Sequence, residues 1–307
     1  MHFEIYVAVA GFIVGMAVGA TGMGGGALMT PILVLLFKVQ PLAAVSSDLV
    51  ASLIMKPFGA AIHIGSHTVR WPLVRWLALG SVPAAFLGVI FLRSLGNGHA
   101  VQNVVSIALG GAVLLAVAAV VVKALVDRRR GVAPITRPEP LRVRPMPTVA
   151  LGAVTGFIVG ITSVGSGTLV VIALLFLYPR LRGSQLVGTD LTQAIPMVAA
   201  AALAHILYGD FQLSLTLSII AGSIPGVVVG SLLSSRAPTA VVRVVLCLVL
   251  LVSGLKLVNV PTPDVGIALA AGLVGAAAVL AYLARTRPGT WRRELPDPHA
   301  ETEAVAA

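Results

Sequence analysis

A lysine stands inside an apolar run of this 307-residue chain, in Ser52-Leu53-Ile54-Met55-Lys56-Pro57. A cation placed that deep costs a few kcal/mol on membrane-insertion scales, so Lys56 is expected to face protein or a water-filled cavity and to serve a purpose there. The chemistry it offers is attraction of an anion, or exchange of a proton with one. Pro57 beside it removes a backbone donor and loosens the helix locally. Two aspartates, Asp48 and Asp190, stand about two turns into matched apolar runs. Buried carboxylates can carry protons and so couple transport to a proton gradient; equally, they can brace neighbouring backbone. Asp48 is eight residues from Lys56, about 80° round a helix and ~12 Å along it, which leaves Asp190 the better ion partner. Ser47, Thr189 and Gln193 lie close by and can donate to an oxyanion, although such residues in membrane helices more often bond other helices.

The second chemical signal is a pair of glycine-rich breaks, Gly24-Gly25-Gly26-Ala27-Leu28 and Gly165-Ser166-Gly167-Thr168-Leu169. Unpaired backbone amides at helix N-termini replace an anion's water shell, and glycines let the anion approach them closely. Close helix packing is the other use such glycines have. His63 and His205 end matching apolar runs; they can gate with pH, but hydrogen bonding near the interface is the commoner role. They are too isolated for a metal site. Cys247 reads as a small apolar residue. With no phosphate loop, catalytic triad or metal-ligand cluster, neither an enzyme nor an ATP-driven pump is expected, and no cofactor is called for.

These residues must be positioned by helices in a membrane. The mean hydropathy is +1.01, with 58% hydrophobic and 10% charged residues, which excludes a soluble globule. The formal charge of +10 sits in short basic clusters between apolar runs. That is a pattern of topology signals and not a nucleic-acid footprint. Met1-His2-Phe3-Glu4 lacks the basic start of a cleavable signal peptide.

Against the ~20 residues needed to span a bilayer, spans fall near 41–63, 72–92 and 100–126, then 184–207, 213–233 and 239–259, with a last one near 264–284. The shorter runs at about 5–20, 26–37, 148–163 and 167–178 read as half-helices. The chain is also duplicated. Gly-Phe-Ile-Val-Gly occurs at 11–15 and at 156–160, Asp48 answers Asp190, His63 answers His205, and Ser81-Val82-Pro83 answers Ser223-Ile224-Pro225. Arginine placement favours a re-entrant hairpin over a single broken crossing at 148–178: with 127–147 inside, a hairpin keeps Arg180, Arg182, Arg236 and the C-terminal arginines inside too. Three full crossings per copy then invert the second copy, an architecture of secondary transporters. Trp71 and Trp76, beside Arg70 and Arg75, read as interface anchors.

The order and duplication of these motifs resemble the TauE/SafE sulfite exporter family, over essentially the whole chain to about residue 260. The family's glycine motif falls on Gly24, Gly25 and Gly26 and on Gly165, Ser166 and Gly167. Its Ala-Val-x-Thr-Ser-Leu segment falls on Ala44-Val45-Ser46-Ser47-Asp48-Leu49 and Leu186-Val187-Gly188-Thr189-Asp190-Leu191. The chain departs from the pattern by carrying aspartate at the usual serine position in both copies. The resemblance implies a polytopic transporter of sulfite, organosulfonates or related anions.

The expectation is therefore an all-α integral membrane protein of two inverted repeats. Each is a re-entrant half-helix hairpin plus three transmembrane helices, and one extra C-terminal helix follows. Residues 1–126 form the first repeat, 127–147 a basic cytoplasmic linker, 148–260 the second repeat, 261–287 the extra helix and 288–307 a disordered cytoplasmic tail. It should sit in the inner (plasma) membrane with its N-terminus outside, moving a small sulfur-containing anion outward by alternating access, with a proton as the candidate coupling ion. Substrate contacts are assigned to the two glycine breaks, Ser47, Lys56, Thr189 and Gln193, and proton coupling to Asp48, Asp190, His63 and His205. Partners are the anion, the lipid bilayer and a candidate second copy of the chain, with no nucleic acid. The rivals are an importer or channel for other small anions, and a membrane scaffold whose glycines serve packing alone.

Overall fold

The structure, a computed structural model, describes residues 4–21, 26–96, 98–130, 143–179, 181, 183–208, 211–233 and 239–285. Within them the chain forms eleven helices: α1 (Ile5–Thr21), α2 (Gly26–Leu35), α3 (Pro41–Gly65), α4 (Trp71–Ser94), α5 (His99–Arg130), α6 (Pro145–Thr162), α7 (Thr168–Leu177), α8 (Gly183–Tyr208), α9 (Leu213–Leu233), α10 (Thr239–Leu257) and α11 (Thr262–Arg285). Six of these, α3 to α6, α8 and α9, are long and apolar enough to cross a membrane over their described lengths. Large apolar side chains such as Ile13, Phe58, Leu79, Leu203 and Ile267 face outward, as lipid-facing residues do. The linker at 131–142 and the tail beyond 285 lie outside the described residues.

Most helix limits fall within a few residues of the apolar runs. One difference is α6: at 18 residues it is about 27 Å long and is itself long enough to span, where the glycine break suggested a half-helix. Its start is fixed from outside the apolar run. Pro145 and Pro147 occupy the first turn after an extended Arg144. The Tyr178 hydroxyl then accepts from the Arg144 backbone N–H at 2.9 Å and meets Thr148 Oγ1 at 2.5 Å. Tyr178→Phe should therefore lower thermal stability in detergent by about 1–3 kcal/mol, because it strands the Arg144 N–H, while Thr148 Oγ1 keeps its bond to the Arg144 carbonyl at 2.7 Å. An unchanged melting temperature would show that the hydroxyl is not holding α6.

Two helix pairs are packed through glycine stripes, and both run parallel. On α6, added Cβ atoms at Gly152, Gly156 and Gly160 would strike the backbone carbonyls of Leu77, Ser81 and Ala85 on α4. On α9, the same addition at Gly222, Gly226 and Gly230 would strike those of Ala8, Phe12 and Met16 on α1. Residue numbers rise together along both interfaces, and the spacing of four keeps every glycine on one face. The α3 and α8 helices instead run antiparallel between these pairs: Ser46 meets His205, Gly59 meets Leu191 and Gly188 meets His63. Apolar cores fill in around them, one joining α1, α2, α5, α9 and α10, another joining α3, α4, α5, α6 and α8.

Candidate functional site

The polar interior is built where the two breaks meet α3 and α8. The second break is held open by backbone that coils back on itself. Ser163, which ends α6, is left-handed at φ 59°, and Gly165 and Gly167 take φ 121° and 113°, values that favour glycine. Thr162 Oγ1 accepts from the Val164 N–H and steadies the turn. Gly167 then precedes α7, whose first amides point back into the break.

The first break reaches the same place. Gly24 and Gly25 lie outside the described residues, but Gly26 starts α2 against Asp48 and Ser163. A Cβ there would collide with the Ser163 carbonyl oxygen and come within 3.0 Å of Asp48 Oδ2. Asp48 Oδ2 in turn accepts from Thr30 Oγ1 at 3.0 Å and from Ser163 Oγ at 2.6 Å. One carboxylate thus ties α2 to the tip of the second break.

Lys56 Nζ donates to Ser166 Oγ at 3.0 Å, across 110 residues of sequence. It lies within electrostatic reach of Asp190, and more weakly of Asp48, without forming a contact ion pair with either. Asp190 Oδ1 accepts from Gln193 Nε2 at 3.3 Å, and Gln193 Oε1 accepts from Ser81 Oγ at 3.2 Å. Among the described residues, Asp48, Lys56 and Asp190 are the formally charged side chains buried to at least nine-tenths. The helices thus gather two acids and one base around the breaks, in an apolar bundle where nothing but mutual attraction and hydrogen bonds replaces water.

Four of the predicted residues sit elsewhere. Ser47 is buried on α3 and donates to the Gln212 carbonyl oxygen at 3.5 Å, just ahead of α9; Thr189 accepts from the Arg70 N–H at 3.1 Å, just ahead of α4. These matched positions tie helix starts together and do not touch the lysine. His63 pairs with Thr68 in its own turn at 2.9 Å and is partly exposed, as a residue near the interface would be. His205 is different: it is fully buried between Ser46 Oγ and the Gly160 carbonyl oxygen, each at 2.8 Å. His205→Ala should cost about 1–3 kcal/mol by stranding the Gly160 carbonyl and opening a void. A variant that melts like the parent protein would mean that the ring is not holding α3 and α8 to α6.

Sequence reasoning missed Thr30, Ser163 and Ser81. Thr30 and Ser163 were visible as hydroxyls beside the breaks. Ser81 was visible as a duplicated Ser-x-Pro without an assigned role. No grouping of three or more metal-ligating side chains occurs among the described residues.

Comparison with known proteins adds lineage to this geometry. Residues 7–257 match the family model described as "Sulfite exporter TauE/SafE". The chain is 37% identical to the probable membrane transporter protein YjnA of Bacillus subtilis (strain 168) over 261 residues, covering 83% of this chain and all of that protein. It is 36% identical to the probable membrane transporter protein YunE of the same organism over 77 residues, a quarter of this chain and 27% of that protein. No solved structure matches it.

Proposed function

The chain belongs to the TauE/SafE sulfite exporter family, and from that premise we propose that it is a secondary transporter carrying a small sulfur-containing anion, sulfite or an organosulfonate, across the plasma membrane. The observation that carries this reading is the buried Lys56 ammonium on Ser166 at the glycine break. An ammonium offers three N–H donors, so donors remain for an anion after Ser166 is served, and the amides opening α7 add the helix-terminal charge that favours it.

The alternating-access part of the proposal rests on helix direction. The short turns between α3 and α4 and between α8 and α9 reverse the chain from one span to the next. Since α3 opposes α8, α9 runs with α3 and α4 runs with α8. The parallel pairs then make α1 run with α3, and α6 with α8, so α2 and α7 must each turn back. These directions support the reading of two re-entrant hairpins inserted from opposite faces, and with it of inverted repeats. Outward flow and an N-terminus outside follow the arginine distribution and the family's name.

The test is uptake and counterflow of labelled sulfite in proteoliposomes, with taurine and sulfoacetate as competitors, with and without an imposed pH gradient. Saturable counterflow is expected. Well-folded protein that exchanges none of these anions would return the chain to the scaffold reading.

A further inference from the structure

The two aspartates were equivalent in the sequence, but they are not equivalent in the folded protein. Asp48 is the more tightly held: its Oδ2 takes two hydroxyl donors, at 3.0 and 2.6 Å, and lies against the first residue of α2. Two O–H donors converging on one oxygen suit an ionised carboxylate. Removing its charge would weaken both, and with them the link between the two breaks. Among the described residues Asp190 accepts one hydrogen bond, a 3.3 Å contact from Gln193. The Gln193 amide is held by Ser81 with its oxygen turned away, so it presents N–H to Asp190. Asp190 also lies across the α3–α8 contact within a turn of Lys56, where Gly59 of α3 meets Leu191 of α8.

Three buried charges sum to minus one. An anion arriving at Lys56 and Ser166 therefore meets both the charge that attracts it and a carboxylate that repels it, in a medium where that repulsion is large. Proton uptake by Asp190 removes the repulsion and keeps the net charge unchanged. We infer that Asp190 is the proton-coupling residue, taking up one proton as the anion replaces it at Lys56, while Asp48 is a structural clasp between the two breaks. In this step no covalent bond to the cargo forms or breaks: one O–H bond forms on Asp190, the proton comes from the side that delivers the anion, and both leave together on the other side. The step is reversible, so the anion's own outward gradient drives export, and an acid jump outside drives the same pair inward.

The groups facing Asp190 support the assignment. From α3 come Lys56 and Asp48, with His63 about two turns beyond Lys56 and paired to Thr68. From α4 come Ser81, through Gln193, and Arg70, whose backbone N–H bonds Thr189. On α8 itself, His205 is four turns away and bonded to Ser46 and Gly160. The described parts of α6 and α7 carry no charged side chain. Lys56 is thus the cation that the Asp190 carboxylate would lose to an incoming anion.

This inference rests on the transport reading above, and the experiment separates the two. Purified full-length protein is reconstituted, and exchange of labelled sulfite and of labelled methanesulfonate is measured first. Methanesulfonate is then followed under an outside-acid pH jump, with the membrane potential set by valinomycin and potassium. The expected wild-type result is accumulation driven by the pH jump, at a rate that does not respond to the potential. Asp190→Asn should lose that accumulation while anion exchange stays measurable. Asp48→Asn should lose exchange as well, together with thermal stability in detergent, which an Asp190→Asn change should leave nearer the parent value. Wild-type protein that exchanges neither anion overturns the transport reading itself. Exchange that ignores the pH gradient, a rate that follows the potential, or pH-driven accumulation surviving in Asp190→Asn leaves transport standing and overturns the assignment of Asp190.

Discussion

Replacing Lys56 with methionine should abolish anion flux while the helices remain assembled. Methionine matches the length and apolar stem of lysine, so the slot between α3 and the second break stays filled. What disappears is the buried positive charge among the described residues at the break. The Ser166 hydroxyl and the α7 amides remain, but they act as dipoles, and two buried carboxylates would now repel any anion without opposition. Loss of a contact ion pair, which can cost 3–5 kcal/mol or so when one partner is removed, does not arise, since Lys56 is bonded to a hydroxyl and not clasped to an acid. Folding should therefore survive where transport does not. Lys56→Arg is the informative companion: it keeps the charge but replaces a compact ammonium with a planar fork, and it should recover only part of the flux. Counterflow of labelled sulfite, measured beside a melting curve, checks both variants. Normal flux in folded Lys56→Met protein would remove the lysine from the mechanism.

The second large effect lies in the glycine stripes. Gly226→Leu, or Gly156→Leu on the other pair, should prevent α9 from seating on α1, or α6 on α4. Even the first carbon of the new side chain would strike a facing backbone carbonyl, that of Phe12 or of Ser81. Overpacking in ordinary cores costs about 1–3 kcal/mol because side chains can shift. Here the obstacle is main chain on both sides, so the cost should exceed that range. The readout is loss of monodisperse protein on size exclusion in detergent. Gly111→Ala on α5 is the control, since an added carbon there meets nothing; exchanging glycine for alanine inside a helix should leave stability equal or higher by roughly 0.5–1 kcal/mol. If Gly226→Leu behaves like Gly111→Ala, the close approach of α1 and α9 is wrong.

Much of this architecture could be read before any coordinates, because membrane spans announce themselves by length and hydropathy, and because duplication doubles every signal. The helix limits at Pro41, Trp71, Gly183 and Leu213 followed from proline, glycine and the ends of apolar runs. Lys56 stood out because a charge in an apolar run has few explanations, and helix geometry pointed to Asp190 rather than Asp48 as the better candidate partner. Other features were not legible. Partners across helices depend on which faces meet, and a single sequence does not state that α4 lies beside α6. So Ser81 could be seen as repeated without its bond to Gln193 being foreseeable. Ser47 and Thr189 looked like substrate donors from their neighbours in sequence, but α-helical rotation turns them toward the starts of α9 and α4. The two aspartates looked alike because their flanking residues are alike. Their difference comes from Thr30 and Ser163, which belong to other elements, and from position 193, where the second copy has glutamine and the first has Ala51.

The pairing of α1 with α9 also sets a condition on how the protein is made. The facing residues, such as Ala8 and Gly222, are separated by more than two-thirds of the chain, and the backbone N–H of Glu4 reaches the Ser218 hydroxyl at 3.1 Å. At ribosomal speeds of ~5–20 residues per second, α1 waits roughly ten to forty seconds for its partner to be synthesised. During that interval its glycine face must rest against lipid or against the insertion machinery. A nascent chain halted after α5 would hold α1 to α5 without α9 and would leave α4 without α6, so neither glycine stripe could close. Assembly of the interior therefore belongs to the end of translation.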